Sequence, residues 1–234
     1  MKNDFPNFRQ AVGTSYCGPA CLMNIYSYFG IKVPLEKLLD DLKIDKYTGT
    51  FTAQLGLHAK NSGLQTLILC SNPYYVSPAW SKLDNQTIYK KIGGWLAFEL
   101  QGKNKIRKNK FKKGTRFILA YIKNGGKIKI IDLTTRLIDG YLDQGYLMTG
   151  AIEESWLWEK RKIPKTAEFD DIKGIPQGHF VVLYGHDAEN YFVSDPYPTG
   201  LEGKNGLYKV KKDKFLVSCL FWEATLLAVN SLTR

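Results

Sequence analysis

The sequence has few of the residues that hold metals or build disulfide scaffolds. Its 234 residues include four cysteines and three histidines, and no two cysteines form a Cys-x-x-Cys pair. Because a structural zinc site needs clustered cysteine and histidine ligands, the composition argues against a metal site. The size of the chain and the lack of a secretory signal also argue against a disulfide scaffold, since such scaffolds are short secreted chains dense in cysteine. We therefore expect free thiols, with no metal and no cofactor.

Long apolar runs and targeting segments are missing as well. No run approaches the roughly 18 apolar residues that a membrane-spanning helix needs. The first ten residues, MKNDFPNFRQ, lack the apolar core of a secretory signal. This predicts a cytoplasmic protein, although a signal-independent export route stays open. The apolar content of 44% and the aromatic content of 13% are typical of a globular protein.

Acidic residues are absent between Glu99 and Asp132, where eleven lysines and arginines occur. The whole chain carries a net charge of +11, so this segment accounts numerically for the excess. Such a block can attract an acidic protein, an anionic surface or nucleic acid, or it can simply be a solvated helix face. Its densest part contains one aromatic residue, Phe111, which argues against a stacking platform for single-stranded nucleic acid. Any partner at residues 103–129 is thus predicted to be acidic or an anionic surface.

Internal repeats and linkers rich in proline, glycine or serine are absent too, which predicts one domain over residues 1–234. Apolar residues recur at helical spacing from Cys17 to Phe29, and Gly30 marks the end of that helix. Further helices are predicted over residues 33–43, 50–63, 83–101 and 134–145, and 116–126 is open between helix and strand. Strands are predicted over residues 64–70, 127–133, 146–153, 179–184, 190–195, 206–215 and 220–229. Helices first and strands late indicate an α+β fold.

Cys17 differs from the other cysteines in its local sequence, YCGPAC. Glycine and proline follow it, and proline is tolerated in the first turn of a helix, so the helix is expected to begin near Cys17. The N–H groups and the dipole at a helix N-terminus stabilise a thiolate. Cys21 falls one turn further on the buried face, and Cys70 and Cys219 are likewise expected to be inert core residues. We predict Cys17 as the nucleophile.

A thiolate nucleophile needs an imidazole partner, and the imidazole needs an orienting acid or amide. His58 lies in a helical stretch, and His186 lies in the predicted hairpin turn GHDAEN. His179 instead begins the apolar strand HFVVLYG, where an aliphatic residue would be expected. Pairing of the hairpin strands places Asp195 roughly opposite His179. The sequence therefore predicts His179 as the base and Asp195 as its orienting acid.

Gln10 stands seven residues before Cys17. An amide donor ahead of the nucleophile can form an oxyanion hole together with the backbone N–H of Cys17. The alternative is an ordinary surface glutamine in the loop that enters the helix. We predict Gln10 as the oxyanion donor of a triad of Cys17, His179 and Asp195.

Several of these segments resemble the papain-like peptidases that process bacteriocins at a double-glycine leader, in particular a stand-alone branch without an ABC transporter. The resemblance rests on YCGPACLMNIYSYFGI, HFVVLYGHD and YFVSDP in this order, and on TGTFTAQLGLHAKNSGLQTLIL. It implies a papain-like α+β fold whose nucleophile helix packs on a mainly antiparallel sheet, and the same four site residues. It fades over residues 72–115, where we expect a basic, family-specific insertion. The chain departs from the family in the spacing of Gln10 to Cys17 and in His186, where tyrosine is common.

The resemblance implies a bacterial cysteine peptidase or amidohydrolase that cleaves a peptide or amide bond of a peptide or protein substrate through a thioester. An acyl transferase or deamidase could use the same triad, because papain-like folds share acyl-thioester chemistry. A third alternative is a non-catalytic peptide-binding domain that acts through its basic segment. Degenerate relatives typically lose the cysteine, so the presence of all three triad residues argues against that alternative.

Overall fold

The computed structural model describes residues 4–44, 49–101, 105–164 and 166–232, with the backbone alone for residues 105–111. Within these ranges the chain forms α-helices, β-strands and a short 3-10 turn at Pro78–Trp80. The helices are α1 (Cys17–Tyr28), α2 (Leu35–Leu42), α3 (Thr52–Asn61), α4 (Asn85–Gln101), α5 (Lys105–Lys123), α6 (Thr135–Asp143), α7 (Glu154–Trp158) and α8 (Lys212–Leu220). The strands are β1 (Leu64–Cys70), β2 (Lys127–Ile130), β3 (Leu147–Glu153), β4 (Gly178–His186), β5 (Asn190–Ser194), β6 (Leu207–Lys211) and β7 (Thr225–Ser231).

The strands form one sheet in the order β2-β1-β7-β3-β4-β5-β6. Strands β1 and β2 are parallel, whereas all other neighbours in this sheet are antiparallel. A parallel pair needs a crossover, and helices α4 and α5 lie in the chain between β1 and β2. The mixed α+β architecture with a mostly antiparallel sheet confirms the predicted fold class.

Hydrophobic clusters cover both faces of the sheet. Alternate residues of β4 show the division, because Phe180 and Val182 belong to one cluster while Val181 and Leu183 belong to the other. Helices α1 to α5 contribute to the first cluster, and helices α6 to α8 contribute to the second. The sheet is therefore sandwiched between two helical layers.

Helix α1 begins at Cys17, as the sequence predicts. Its buried residues include Cys21, Leu22 and Ile25, which form the apolar stripe that packs against β4. Gly30 has a φ of +74°, so the chain leaves the helix through a left-handed turn that favours glycine. The packing of α1 on the sheet brings the N-terminal end of this helix to the part of β4 where His179 lies.

The other predicted helices are also present, and residues 116–123 of the undecided segment belong to α5. The prediction was wrong in the C-terminal part, because residues 212–220 form α8 and β7 begins only at Thr225. Phe215, Ser218 and Cys219 are buried at helical spacing. The pattern is hard to recognise because a polar residue, Ser218, occupies the buried face, where its hydroxyl donates to the backbone oxygen of Glu153.

The hairpin of β4 and β5 differs from the predicted register. His186 pairs with Tyr191, and beyond an irregularity between Leu183 and Gly185 the pairing continues with Val182 opposite Ser194. The turn is tighter than predicted because the Asp187 carboxylate accepts the backbone N–H groups of two following residues. Continuing this register would set residue 195 beside residue 181, so His179 and Asp195 are diagonal neighbours instead of direct partners.

Membrane-spanning segments are not found in the part of the chain that the structure describes, since none of its helices combines the necessary length with the necessary apolar character. The proposal that residues 72–115 are a family-specific insertion stays a prediction.

Candidate active site

Cys17 lies at the first residue of α1 and is partly exposed, whereas the other three cysteines are buried. The N-cap residue, Tyr16, makes no side-chain cap hydrogen bond, so no side chain closes this helix terminus. A Cβ atom on Gly18 would lie 2.3 Å from Thr50 Oγ1, so glycine at this position makes room for the Thr50 side chain, which lies just before α3. The result is an accessible thiol beside N–H groups that favour negative charge.

His179 lies between this thiol and a buried carboxylate. Its Nε2 atom is 2.8 Å from Asp195 Oδ1, and its ring lies close enough to the Cys17 thiol for the two groups to interact. Because Nε2 is engaged by the carboxylate, Nδ1 is the ring nitrogen left for the thiol. The structure thus brings together Cys17 at the start of α1, His179 near the start of β4, and Asp195 directly after β5.

Asp195 is fully buried and its carboxylate accepts four hydrogen bonds. Oδ1 accepts from His179 Nε2 and, at 2.9 Å, from the backbone N–H of Tyr197. Oδ2 accepts from Trp158 Nε1 at 2.9 Å and from the Tyr208 hydroxyl at 2.7 Å. Each of the two carboxylate oxygens therefore accepts two hydrogen bonds, which fix the orientation of the Asp195 side chain and stabilise its negative charge.

The electrostatics of this pair favour the charged form of both groups. Burial lowers the pKa of His179, but the negative charge of Asp195, its hydrogen bond and the contacts with Cys17 outweigh burial and leave that pKa raised. Burial likewise raises the pKa of Asp195, but the positive charge and donors around it leave the pKa lowered. A positively charged imidazole next to a thiol is the setting in which cysteine nucleophiles are activated.

Aromatic side chains surround the imidazole. The ring centre of Trp158 lies 5.0 Å from that of His179, and Tyr197 meets the imidazole edge-on at 6.2 Å. Lys162 Nζ lies 4.0 Å from the centre of the Tyr197 ring and 4.9 Å from that of Trp158. The same ammonium group pairs with buried Glu154 at 3.2 Å. This packing excludes water from the imidazole–carboxylate contact and holds the ring in place.

Gln10 is buried beside the loop that follows Asp195, where its backbone N–H donates to Pro196 O at 2.9 Å. Its side-chain Nε2 donates to Thr14 O at 2.9 Å, and no hydrogen bond within the described residues joins it to Cys17. An amide NH₂ group has two hydrogens, so a second donor remains for a substrate oxygen. The structure places Gln10 near the triad loop, and its role as oxyanion donor stays a prediction.

The other two histidines lie elsewhere. His58 Nδ1 is 2.5 Å from the Tyr26 hydroxyl, and His186 Nε2 is 3.0 Å from Asp143 Oδ1. In the described ranges neither histidine is hydrogen-bonded to Cys17, and no group of three or more histidine, cysteine or acidic side chains could hold a metal ion.

Sequence reasoning missed Trp158, Tyr208 and Lys162 because nothing local marks them. Trp158 is 37 residues from Asp195 along the chain, and Tyr208 is 13 residues from it on another strand. Only the assembled sheet brings these donors to one carboxylate. For Tyr208 alone a signal was available, because it is an aromatic residue with a polar atom in a predicted strand, and such atoms usually have a partner when buried.

Comparisons with known proteins extend these observations. The family model described as "Peptidase_C39 like family" matches residues 2–225. The peptidase domain of Streptococcus ComA, a bi-functional ABC transporter involved in a quorum-sensing pathway, superposes with a TM-score of 0.50 at 14% identity, covering 97% of this chain and 98% of that domain. A C39-like peptidase from Bacillus anthracis gives a TM-score of 0.50 at 12% identity, covering 100% of this chain and 98% of the other. At such low identity, the similarity shows only that this chain has the same fold as these two structures. No curated protein matches the sequence.

Proposed function

Since the chain belongs to the Peptidase_C39 like family, we propose that it is a cysteine peptidase that cleaves a peptide or amide bond with Cys17, His179 and Asp195. One observation carries the proposal. A buried imidazole lies beside a partly exposed thiol at a helix N-terminus, and its Nε2 atom is hydrogen-bonded to a carboxylate whose oxygens all have donors. This arrangement supports nucleophilic chemistry by the thiol.

The proposed reaction begins with attack of the Cys17 thiolate on the carbonyl carbon of the substrate. The carbonyl π electrons move to oxygen, and the oxyanion is met by the backbone N–H of Cys17 and the free amide hydrogen of Gln10. The His179 imidazolium gives its proton to the leaving nitrogen, so the C–N bond breaks and a thioester forms. Water then gives a proton to His179 as it attacks the thioester, which releases a carboxylic acid and restores the thiolate.

Asp195 keeps the imidazole in one orientation throughout these steps. Its contact with Nε2 directs Nδ1 at the thiol and the leaving group, and its charge stabilises the imidazolium. Trp158 and Tyr208 donate to Asp195, and the Trp158 ring also packs against His179, so both are positioning residues. The reaction needs no contribution from residues 103–129, for which the sequence predicts an acidic partner or an anionic surface.

Two alternatives use the same thioester. An acyl transferase would pass the acyl group to an amine instead of water, and a deamidase would release ammonia from a side-chain amide. A non-catalytic peptide-binding domain would not need a thiol beside the His179–Asp195 pair. The three reactions differ in their products, which an experiment can separate.

The test begins with alkylation of the native protein by iodoacetamide at mildly acidic pH, where ordinary thiols are protonated. We expect rapid modification at Cys17 alone, measured by peptide mass spectrometry, and none in Cys17→Ala. Cys21→Ala is the matched control, because Cys21 lies on the same helix and burial raises its pKa well above the ordinary value. A Cys17 that reacts no faster than a free cysteine would refute the proposal.

The second part of the test incubates the protein with a mixture of peptides and a primary amine. New peptide termini that depend on Cys17 identify a peptidase, amine adducts identify a transferase, and conversion of glutamine to glutamate identifies a deamidase. A rapidly alkylated Cys17 without any of these products would leave a reactive thiol but reject peptidase activity on these substrates.

A further inference from the structure

The helical hairpin of α4 and α5 carries many cations and almost no acid. Between Lys90 and Lys129 the chain has thirteen lysines and arginines and a single acid, Glu99. Among the described residues, no salt bridge involves a cation of this segment, whereas lysines of the C-terminal part pair with carboxylates, such as Lys209 with Asp187. Lys91 and Lys113 lie over the Trp80 and Phe51 rings at 5.8 and 6.0 Å, but no carboxylate of the described residues neutralises the charge of the described cations of the hairpin.

The cations are arranged on the outward faces of the two helices. In α4, Ile88, Ile92 and Leu96 are buried, and the opposite stripe is exposed. That stripe contains Lys90, Lys91, Gly94, Ala97 and Phe98. In α5, the exposed residues include Lys113, Arg116 and Lys123, which are spaced so that they share one face. The described parts of both outward stripes carry positive charge and no acid.

Apolar side chains lie exposed at the end of α4. Phe98 is 67% exposed and stacks on Trp95 with their ring centres 6.1 Å apart, and Leu100 is 37% exposed. The chain then enters residues 103–110, in which five more lysines and arginines occur without an acid. Exposed aromatic and aliphatic side chains next to basic residues are typical of segments that bind at the interface of a bilayer.

We propose that the outward surface of the α4–α5 hairpin, defined by Lys90, Lys91, Phe98, Lys113 and Arg116, binds anionic lipid membranes. The cations contact the phosphate-bearing headgroups, and Phe98 with Leu100 enters the boundary between headgroups and acyl chains. Binding is peripheral, because none of the helices in the described ranges could cross a bilayer. The proposal is independent of the peptidase proposal, since it involves none of the catalytic residues.

The combination of charge and apolar exposure favours lipid over other anions. The phosphate backbone of a nucleic acid would interact with the cations but not with the exposed side chain of Phe98. Binding of a single strand would also need a series of aromatic side chains on which bases stack. An anionic bilayer can bind the cations through its headgroups and the Phe98 side chain through its apolar boundary. Because the charges are exposed, binding should weaken steeply as salt rises, since the screening length is about 8 Å at physiological ionic strength.

The experiment is co-sedimentation of the full chain with vesicles of phosphatidylcholine alone or mixed with phosphatidylglycerol. We expect binding to the mixed vesicles only and release by salt. Lys90→Glu with Lys91→Glu should weaken binding at least about tenfold, and Phe98→Ser should weaken it several-fold. Lys32→Glu with Lys160→Glu changes the net charge equally outside the hairpin, and Ile172→Ser removes another exposed apolar side chain. Both control variants should bind as the unmodified protein does.

Equal binding to both kinds of vesicle, no binding to either, or equal losses in hairpin and control variants would overturn the proposal. So would tight binding of a single-stranded oligonucleotide that Lys90→Glu with Lys91→Glu abolishes while vesicle binding persists, since this would assign the surface to nucleic acid. Circular dichroism and the alkylation rate of Cys17 report whether each variant is folded. Unchanged values in both are expected for all four variants.

Discussion

Helix α1 meets a histidine–aspartate pair at each of its ends, and the two pairs differ in what the helix presents to them. At its N-terminus the Cys17 thiol contacts His179, whose other nitrogen is 2.8 Å from Asp195. In its last turns the Tyr26 hydroxyl is 2.5 Å from His58 Nδ1, and His58 Nε2 is 3.3 Å from Asp41. The same three-part geometry is therefore built twice on one helix.

The two clusters differ in the group that faces the imidazole and in the exposure of the carboxylate. Burial raises the pKa of Tyr26, so this hydroxyl stays protonated. The side chain of Asp41 is 39% exposed, and its hydrogen bonds to Lys37 and His58 lower its pKa. The positive end of the helix dipole favours a thiolate at Cys17, whereas the opposite end disfavours an anion at Tyr26.

The two clusters accordingly have different consequences for the protein. His58, on α3, connects α1 through Tyr26 with α2 through Asp41, so its contacts hold three helices together. His179 connects α1 with the loop after β5 and leaves one partner, Cys17, partly exposed. We expect substitutions around His58 to change stability, and substitutions around His179 to change reactivity.

The largest expected difference is between His179→Ala and His58→Ala. The proposed role of the His179 imidazolium is to activate the Cys17 thiol, so its removal should slow alkylation by iodoacetamide at mildly acidic pH about a hundredfold. His58→Ala should leave the rate unchanged and lower the melting temperature. Alkylation kinetics followed by intact mass, with circular dichroism as the folding control, measures both effects. A comparable loss of rate in His58→Ala would show that the two clusters are not separate in function.

The next difference concerns Asp195→Asn and Asp41→Asn. The charge of Asp195 helps to raise the pKa of His179, so the imidazolium persists into the alkaline range and is lost as pH rises through the raised pKa. The neutral amide should move the alkaline limb of the turnover profile to lower pH by at least about one unit. Asp41→Asn should not move it. The measurement is turnover as a function of pH for each variant, with a peptide substrate identified in the product screen.

The raised pKa of His179 should also make the free energy of unfolding fall as pH rises. A histidine whose folded pKa is raised contributes stability that is complete below its unfolded value and is lost as pH rises through the folded value. The unmodified protein should therefore lose more unfolding free energy than Asp195→Asn between neutral and alkaline pH. Equal losses in denaturant titrations at both pH values would show that the Asp195 charge does not act on His179.

The sequence contained the local signals for most of this site but not for its surroundings. Helix onset at Cys17 follows from glycine and proline chemistry, and His179 is conspicuous as a polar residue that begins an apolar strand. The hairpin register was predicted with a shift, because the turn at Asp187 and an irregularity near Gly185 depend on hydrogen bonds that a strand pattern does not encode. Contact between His179 and Asp195 survives the shift because diagonal neighbours share a face of the sheet.

The donors to Asp195 Oδ2 could not be predicted for a different reason. Their approach depends on α7 and β6 meeting at the end of β5, and no periodicity reports such a contact. The error in α8 has a similar origin, since tertiary packing buries a serine that a sequence pattern assigns to the surface. Features that depend on neighbouring residues could be predicted from the sequence, whereas hydrogen bonds between residues far apart in the chain could not.

The smallest expected difference separates Tyr208→Phe from Tyr26→Phe, two changes that each remove one hydroxyl and keep the ring. The Tyr208 hydroxyl donates to Asp195 Oδ2 at 2.7 Å, and a hydrogen bond to a buried charge is worth about 2 kcal/mol. Its loss should raise the pKa of Asp195, lower the unfolding free energy, and slow Cys17 alkylation a few-fold. Tyr26→Phe removes the contact with His58 and should cost about 1 kcal/mol in stability with no change in alkylation. Denaturant titration and alkylation kinetics on the same samples separate the two quantities. If Tyr208→Phe loses stability but alkylates at the unmodified rate at every pH, the remaining donors suffice to hold Asp195, and the Tyr208 hydroxyl belongs with Tyr26 among the structural contacts.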